Sequence, residues 1–316
     1  MTENHIKNNK TRVSIGLPVY NGEKYLKEAI DSILAQTFKD FELIISDNAS
    51  TDRTSQICES YVNKDVRIRY YRNEKNLGAS GNFNRVFELS TGVYFKWASH
   101  DDIIAPDYIF KCVEVLDKDD LIVLCNSKVK FIDECGKFIL DYNIILNKVN
   151  SPKPQDRFGD IISLHHWCFD IFGLIRSESL RKTSLIQSYP GSDRTLLAQL
   201  SLLGRFYEIP QYLFFNRDHQ ERSVRAIPIQ LRAGWFDTSK AGQISLPKWR
   251  IFFEYFKSVN HFSLNLYERA CCYVHIGNWL RRYHVRLVKE LIFTIKYYYN
   301  SIICKGSNEQ KTLKIM

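Results

Sequence analysis

Three apolar runs rich in β-branched residues follow one another in the first third of the chain, and each ends abruptly in small, amide or carboxylate side chains. The polar clusters are Pro18–Asn21, Ser46–Asp52 and Ser99–Asp102. Strands that alternate with helices form a mainly parallel sheet, and ligands bind beyond the carboxyl ends of such strands. The sequence therefore predicts an α/β fold with one shared site for a polar, anionic ligand.

Hydrophobic periodicity gives the order of the elements. The predicted strands are Val13–Val19, Phe41–Ile45, Ile68–Tyr71, Val93–Ala98, Leu121–Cys125, Phe206–Ile209 and Tyr212–Phe215. Helices are predicted between the early strands, with Pro106 opening the fourth, and a hairpin is predicted at Glu134–Lys137. A later helix is predicted from Asp193 to Gly204, where glycine ends it.

Composition narrows the class of protein. The chain has 316 residues, 45% hydrophobic and 25% charged, which are ordinary globular values. Its eight cysteines show no C-x-x-C pair, so we expect reduced thiols in a cytoplasmic protein. The polar N-terminus lacks a secretory signal, and no apolar run is long enough to span a membrane. The net charge of +9 comes without a nucleic-acid motif, so we expect no nucleic-acid partner.

The third polar cluster suggests metal chemistry. Asp101 and Asp102 follow a buried strand and carry oxygen ligands suited to Mg²⁺ or Mn²⁺. The alternative is a charge pair that stabilises a helix N-terminus and has no function. Glycine-rich phosphate loops are absent, because Gly78-Ala79-Ser80-Gly81 matches neither common pattern. Together the three clusters favour a metal-assisted nucleotide site.

These segments resemble glycosyltransferase family 2, the inverting enzymes with the GT-A fold. The resemblance rests on V-S-I-G-L-P-V-Y-N-G-E, Q-T-F-K-D-F-E-L-I-I-S-D-N-A-S-T-D, N-L-G-A-S-G-N-F-N and the strand ending in S-H-D-D, and it extends from Val13 to about Arg225. It implies a nucleotide-sugar donor, with a UDP-sugar favoured, and a sugar or lipid-linked sugar acceptor used in polysaccharide or glycolipid synthesis.

The resemblance also implies donor-binding residues. They are Pro18, Tyr20, Asn21, Glu23, Asp47, Asn48, Asn76, Gly78, Asn82, Ser99, His100 and Arg217. Asp47 and Asn48 match the step that holds base and ribose, although many relatives carry two acids there. An amide can still pair with the edge of uracil. For Gly78, a plain turn glycine is the alternative.

The metal motif departs from the common D-x-D form. Ser99 replaces the first carboxylate, and Asp101 keeps the second. The resemblance assigns Asp101 as the metal ligand with Asp102 as support, and His219 as a further ligand beside Arg217, an anion contact. A histidine at the core edge is the alternative reading of His219. His165, His166 and Cys168 lack ligand spacing, so packing is preferred for them.

Asp193 matches the family position of the catalytic base. Inverting transfer needs a carboxylate that removes the acceptor's proton as its oxygen attacks. Helix capping is the alternative role for Asp193. Trp97 and Trp167 are candidates for stacking on a sugar, with core packing as the alternative.

The chain divides into three expected parts. Residues 1–11 form a polar tail, and residues 12–226 form the GT-A domain, with a nucleotide-binding half to about residue 125 and an acceptor-side half beyond it. Residues 227–316 form a helical, basic and aromatic extension. There Arg282, Arg286, Lys289 and Lys296 lie opposite Leu280, Leu287, Leu291 and Ile295. This amphipathic pattern allows peripheral contact with anionic lipid or packing on the catalytic domain.

Two other functions remain open from the sequence. An inactive relative that only binds nucleotide or sugar is suggested by Ser99, whereas Asp193 argues against it. A nucleotidyltransferase is disfavoured because no early glycine-rich pyrophosphate loop is present. Neither the sugar nor the acceptor follows from the sequence.

Overall fold

A computed structural model describes residues 11–144, 146–164, 166–220, 232–241, 243 and 245–312. Its strands are β1 (Val13–Val19), β2 (Phe41–Asp47), β3 (Ile68–Arg72), β4 (Tyr94–Trp97), β5 (Ile103–Ile104), β6 (Ile122–Ile132), β7 (Phe138–Tyr142), β8 (Leu174–Arg176) and β9 (Arg205–Arg217). Its α-helices are α1 (Leu26–Leu34), α2 (Thr54–Val62), α3 (Gly78–Glu88), α4 (Tyr108–Lys118), α5 (Pro154–Ser163), α6 (Ser177–Arg181), α7 (Ser192–Leu203), α8 (Ala233–Phe236), α9 (Pro247–His261) and α10 (Leu266–Thr312).

The strands form one sheet in the order β3-β2-β1-β4-β8-β6-β9-β5, with β7 paired to β6. β1 and β2 are buried along their whole length, as expected for strands covered on both faces. Strands β1 to β4 are parallel, so their carboxyl ends share one edge of the sheet. β1 lies between β2 and β4, and this reversal of strand order is where such sheets bind ligands. The predicted α/β architecture is confirmed.

Beyond β4 the sheet is mixed. β8 runs antiparallel to β4 and β6, β5 runs antiparallel to β9, and β6 pairs parallel with β9. The two predicted strands around Pro210 are one strand, β9. The register shifts there, because Ile209 pairs with Ser127 and Tyr212 with Lys128, so the proline falls at an irregularity that tolerates its missing N–H.

Helices cover both faces of the sheet. Side chains of α1, α2 and α4 join one buried cluster, and those of α3, α5, α7, α9 and α10 join the other. Alternation along β2 sends Leu43 and Ile45 to the first cluster and Ile44 to the second. The carboxyl edge of the parallel strands is left uncovered by these two layers.

The C-terminal helices belong to the second core. Ile251, Tyr255, Cys272, Trp279 and Leu287 are all buried in it. The predicted division at residues 226 and 227 lies outside the described residues, but the helices after it share a hydrophobic core with α5 and α7. Leu280 and Leu287 therefore pack against the protein, whereas the sequence also allowed them to face lipid.

Two further features of the structure are the state of its cysteines and the apolar character of its helices. The seven cysteines that the structure describes are all free thiols. Among the described helices, none combines the length and the apolar character needed to cross a membrane.

We predict that Gly78→Ala lowers the free energy of unfolding by about 1–3 kcal/mol, because Gly78 has a φ of +77° and a Cβ would lie 2.4 Å from the Phe236 carbonyl oxygen. The matched control is Gly277→Ala in α10, where a Cβ meets nothing within 4 Å. It should raise stability by about 0.5–1 kcal/mol, since alanine favours helix. Urea unfolding measures both. Equal effects at the two positions would contradict the docking of α8 against α3.

Candidate functional site

A cavity of about 1430 Å³ opens at the carboxyl edge of the parallel strands. All three polar clusters of the sequence contribute to its wall. The lining includes Pro18, Tyr20, Asn21, Glu23, Asn48, Asn76, Asn82, Ser99, His100, Asp101, Asp193 and His219. The structure thus brings together every site residue predicted from the sequence except Asp47, Gly78 and Arg217.

Hydrogen bonds join the loops after β1 and β2. The Asn21 N–H donates to Ser50 Oγ at 2.9 Å, and Asn21 Oδ1 accepts from the Thr51 N–H at 2.8 Å. The Glu23 N–H donates to Asp52 Oδ2 at 3.0 Å. Asn21 has a φ of 50°, a conformation that asparagine tolerates better than most residues. The two loops therefore form one rigid wall, from which Tyr20 projects half-exposed.

Asp101 and His219 meet in the cavity wall, where the loop that follows β4 lies beside the segment that follows β9. His219 Nε2 lies 2.8 Å from Asp101 Oδ2, and Ser99 Oγ donates to Asp101 Oδ1. His219 is 6% exposed and packs on the Tyr25 ring, and within the described part of the chain its Nδ1 has no hydrogen-bond partner. Ser99, which replaces an expected carboxylate, therefore fixes the orientation of the remaining one.

The pairing of β5 with β9 explains why these residues meet. Ile103 pairs antiparallel with Phe215, so residues just before Ile103 face residues just after Phe215. Asp102 Oδ1 consequently accepts from the Asn216 side-chain amide at 2.9 Å and from the Arg217 N–H at 2.8 Å. Asp102 thus ties the loop before β5 to the end of β9, and its predicted support of metal binding stays a prediction.

The surroundings of Asp101 keep it ionised. Burial alone would raise its pKa, but the electrostatic influence of His100 and the hydrogen bonds with His219 and Ser99 lower the pKa well below that of an ordinary carboxyl. An ionised carboxylate and an imidazole with an unpartnered nitrogen are groups that bind a divalent cation.

Asp47 and Asn48 have a structural role that the sequence did not indicate. Asp47 is fully buried and accepts from the Tyr70 hydroxyl at 2.9 Å and pairs with Arg72 at 2.8 Å. It does not line the cavity, and its predicted contact with base or ribose stays a prediction.

The Asn48 side chain lines the cavity with its hydrogen-bonding groups already used. Its amide donates to Asn76 Oδ1 at 2.9 Å and to the Gly78 carbonyl at 3.2 Å. Its oxygen accepts from the Leu77 N–H at 2.8 Å and from Asn73 at 3.0 Å. Both donors and both lone pairs are occupied, so Asn48 braces the loop before α3 and cannot also pair with a base edge.

Arg217 also lies behind the cavity. Its side chain is fully buried and pairs with Glu28 at 2.6 Å. It also donates to the Asp101 carbonyl at 3.0 Å and to the Glu134 carbonyl at 3.0 Å. Arg217 therefore braces the backbone of the Asp101 loop, and its predicted anion contact stays a prediction.

Gly78 and Asn82 likewise act as structural residues. The close approach that Gly78 permits is to the Phe236 carbonyl of α8. The Asn82 amide lies at the cavity floor, where it donates to the Ser46 carbonyl at 2.9 Å and accepts from Ser46 Oγ at 2.7 Å. Asn82 thereby fixes α3 to the end of β2.

Asp193 enters the cavity from the first turn of α7. The helix is preceded by Gly191 at a φ of 90°, and Asp193 Oδ1 accepts from the Arg194 N–H at 2.7 Å. Burial raises the pKa of Asp193, which the positive charge of Arg194 partly opposes. Gly191 and not Asp193 is the N-cap residue of the helix, and Asp193 presents a carboxylate with raised basicity to the cavity.

The other carboxylates of the cavity have partners that restrict them. Asp52 accepts from two backbone N–H groups at 3.0 Å, and Glu23 pairs with Arg53 at 3.3 Å. Asp101 and Asp102 are held by His219 and by β9, as described above. Burial raises the pKa of Asp193, whereas hydrogen bonds lower the pKa of Asp52 and of Asp101.

One wall of the cavity comes from the C-terminal segment, which sequence reasoning missed. Trp235 and Lys248 line it, and the segment is held by Ser80 Oγ, which donates to the Phe236 carbonyl at 2.7 Å, and by Thr238 Oγ1, which donates to the Asn76 carbonyl at 3.0 Å. No motif marked these residues; only the aromatic and basic composition of the segment gave a signal.

The two tryptophans considered for sugar stacking have different positions. Trp97 is fully buried and donates to the Phe83 carbonyl at 2.8 Å, so it is a core residue. Trp167 lines the cavity, is 48% exposed, and stacks on Phe169. Trp167 and Trp235 together give the cavity two aromatic faces.

Comparison with known proteins identifies the family. The model of glycosyl transferase family 2 matches residues 14–182, more than half of the chain. The chain belongs to glycosyltransferase family 2. An uncharacterized glycosyltransferase of Rickettsia conorii is 40% identical over 147 residues, which are 44% of this chain and 24% of that protein. The chain thus spans about a quarter of the length of that relative.

Solved structures agree on the fold. TarS of S. aureus in complex with UDP has a TM-score of 0.61 at 16% identity and covers 86% of this chain and 71% of that one. The mannosyltransferase PcManGT from Pyrobaculum calidifontis, in complex with GDP-Man and Mn²⁺, has a TM-score of 0.50 at 14% identity, covering 90% and 80%. The GT-A fold predicted from the sequence is confirmed.

The residues of the cavity fit a divalent cation. The described residues contain no group of three His, Cys, Asp or Glu side chains that would hold a metal alone. Asp101 Oδ2 and His219 Nε2 lie 2.8 Å apart and share a hydrogen bond. An ion would take the place of the shared proton, and neighbouring ligands of an octahedral ion lie roughly 3 Å apart at bond lengths of about 2.1 Å. Two protein ligands suffice for Mg²⁺ or Mn²⁺ when phosphate oxygens and water complete the shell.

We predict that Arg217→Gln lowers the free energy of unfolding by about 2–4 kcal/mol, because it removes several charge-assisted hydrogen bonds from a buried site. Arg53→Gln is the matched control, because Arg53 is 76% exposed and its pair with Glu23 is worth at most about 1 kcal/mol. Urea unfolding compares the two. A small effect at Arg217 together with a large loss of nucleotide affinity would favour the original assignment as an anion contact.

Proposed function

We propose that this family 2 glycosyltransferase moves a sugar from a nucleotide-diphosphate donor to an acceptor hydroxyl with inversion at the anomeric carbon. The observation that carries the proposal is the convergence in one cavity of an ionised Asp101 beside His219 and a separate carboxylate, Asp193, with a raised pKa. These are the two functions that the reaction needs, a site for the leaving diphosphate and a base for the acceptor.

The donor is proposed to bind at the ends of β1, β2 and β4. Pro18, Tyr20, Asn21 and Glu23 line this side, and Tyr20 is half-exposed and available to contact a base or ribose. The TarS and PcManGT structures hold UDP and GDP-Man respectively. A UDP-sugar remains the favoured donor. The asparagines of this wall support its shape and are not proposed to read the base.

A divalent cation, Mg²⁺ or Mn²⁺, is proposed to bind Asp101 and His219. When bound, such an ion neutralises charge on the departing diphosphate. Ser99 and Arg217 hold the Asp101 carboxylate and its backbone in place, and Asp102 ties the same loop to β9. The chain therefore presents its two ligands with little freedom to move.

Asp193 is proposed to be the catalytic base. It takes the proton of the attacking hydroxyl, and the acceptor oxygen then bonds to the anomeric carbon as the bond to the nucleoside diphosphate breaks. A carboxylate is a better base when burial raises its pKa, provided that it stays ionised at the working pH. Trp167 offers an aromatic face for an acceptor sugar.

The described part of α10 favours contact with an anionic membrane surface. Val285, Val288, Ile292, Ile295 and Tyr299 are exposed and follow one another at intervals of three and four, so they form one stripe. Basic side chains flank the stripe: Arg282, Lys289 and Lys296. An apolar stripe beside cations is typical of helices that lie in a lipid interface. A lipid-linked acceptor for surface polysaccharide or glycolipid synthesis would be met there.

We predict that Asp193→Asn lowers the release of nucleoside diphosphate from the donor by about 10²- to 10⁴-fold and leaves nucleotide affinity unchanged, because asparagine keeps the helix contact but cannot take a proton. In the wild type, kcat/KM should fall as the pH drops through the pKa of Asp193. Because burial raises that pKa, the acid limb should lie above the pH expected for an exposed carboxyl.

The products of the wild-type reaction separate the alternatives. Free nucleoside diphosphate supports glycosyl transfer, whereas pyrophosphate would indicate a nucleotidyltransferase. Full activity of Asp193→Asn would exclude Asp193 as the base. Nucleotide binding without turnover in the wild type would favour an inactive relative.

We predict that wild-type protein floats with vesicles that contain phosphatidylglycerol and not with vesicles of phosphatidylcholine alone, and that Val288→Ser with Ile295→Ser lowers the bound fraction by about 10-fold through lost apolar burial. Val66→Ser is the control, because Val66 is fully exposed in a loop away from α10. Equal binding by all proteins, or burial of the stripe in a dimer in solution, would contradict membrane contact.

A further inference from the structure

Lys248 differs from the other cations of the cavity in its partners. Lys24 pairs with Glu134 at 2.8 Å, and Arg53 pairs with Glu23. Arg194 donates to the carbonyls of Leu164 at 3.0 Å and His166 at 2.6 Å. The charges of these three side chains are therefore already engaged with the protein.

The Lys248 ammonium group lacks such a partner within the described part of the chain. No ion pair joins it to a carboxylate there. Lys248 Nζ lies over the face of the Tyr283 ring, 5.2 Å from the ring centroid. The backbone N–H of Lys248 donates to both oxygens of Glu290 at 3.0 Å, so α10 fixes the position of the residue. The chain thus holds a cation in the cavity wall without neutralising it.

Charges of both signs surround Lys248. Burial lowers its pKa and the charges of Arg194 and Arg286 lower it further, whereas the carboxylates of Glu290 and Asp193 raise it. Arg286 lies 5.4 Å from the centroid of the same Tyr283 ring. The net lowering means that the charged ammonium group is disfavoured at this partly buried site until an anion approaches it.

A second observation lies on the first turn of α7. Ser192 is 1% exposed and lines the cavity, and its Oγ has no hydrogen-bond partner among the residues that the structure describes. A buried hydroxyl without a partner is costly, and it is satisfied when a ligand oxygen reaches it. Ser192 precedes Asp193 in the first turn of α7, and Ser192, Asp193 and Lys248 all line the same cavity.

We propose that the acceptor carries an anionic group, a phosphate or a carboxylate, which binds Lys248 and Ser192 Oγ while its hydroxyl is presented to Asp193. This inference rests on the proposed function, because it specifies the acceptor of that reaction. Lys248 is a specificity residue of the acceptor side and takes no part in proton transfer. The anion also explains why the C-terminal helices form part of the cavity wall, since they supply the cation that holds it.

Binding of small probes tests the proposal without knowledge of the full acceptor. Glycerol 3-phosphate and glucuronate carry the two anionic groups, and glycerol and glucose are their neutral counterparts. Each is titrated into wild-type protein, Lys248→Met, Lys248→Arg and the control Lys118→Met, whose lysine is exposed and lies outside the cavity. Each titration is repeated with UDP and Mn²⁺ at saturation.

We expect one anionic probe to bind the wild type and Lys118→Met at least about 10-fold more tightly than its neutral counterpart. Lys248→Met should remove this preference, Lys248→Arg should keep most of it, and UDP should leave it unchanged. The preferred probe distinguishes a phosphate from a carboxylate. The midpoint of thermal unfolding confirms that each variant is folded.

Two results would overturn the inference. One is equal binding of charged and neutral probes to the wild type, and the other is displacement of the anion by UDP, which would place Lys248 in the donor site. Failure of UDP to bind wild-type protein would instead count against the proposed donor site, while a preference lost in Lys248→Met would still establish the anion site. The two failures are therefore distinguishable.

Discussion

The short antiparallel pairing of β5 with β9 is the contact on which the site depends. It joins segments more than a hundred residues apart and places Asp101 2.8 Å from His219. β5 has only two residues, so its backbone hydrogen bonds alone would hold the loop weakly. Asp102 and the buried Arg217 add hydrogen bonds on either side of this pairing, and Arg217 ties it to α1 through Glu28. The Asp101–His219 pair is therefore kept in one geometry by the buried polar side chains of Asp102 and Arg217.

The rest of the cavity is built on the same physical rule, that buried polar groups need partners. Asn48 and Asn82 use their amides to bond the ends of β1 and β2 to the loop and helix that follow β3. Such networks gain most when every member is satisfied, and here the Oδ1 of Asn73, a residue whose amide donates to Asn48 and Asn82, is left without a partner among the described residues. The network gives a preorganised wall, which reduces the reorganisation that a reaction requires. His219 Nδ1 and Ser192 Oγ are also among the buried polar atoms without a partner in the described part of the chain, and both belong to residues that face the cavity.

Much of the fold followed from the sequence, because buried parallel strands need apolar β-branched runs, and β1 has the predicted bounds Val13–Val19. The position of the cavity also followed, since polar residues at three strand ends must meet at one edge. The contacts that individual side chains make could not be predicted from the sequence. Asp47 and Arg217 carry charges that suit a ligand, but Arg72 and Glu28 neutralise them inside the protein. Lys248 belongs to no motif, and only the packing of α9 and α10 on the second core brings it to the cavity.

Calorimetric titration of UDP, GDP and dTDP into wild-type protein and Asp101→Asn, each with Mn²⁺ and with EDTA, tests the donor site most directly. The account predicts that one nucleotide binds the wild type in Mn²⁺ and that EDTA or the Asp101 variant weakens this binding by at least about 10-fold, because a metal ligand is lost. Equal affinity with and without metal would contradict the role of Asp101 and His219. Absence of binding by all three nucleotides would contradict the assignment of the cavity to a nucleotide donor.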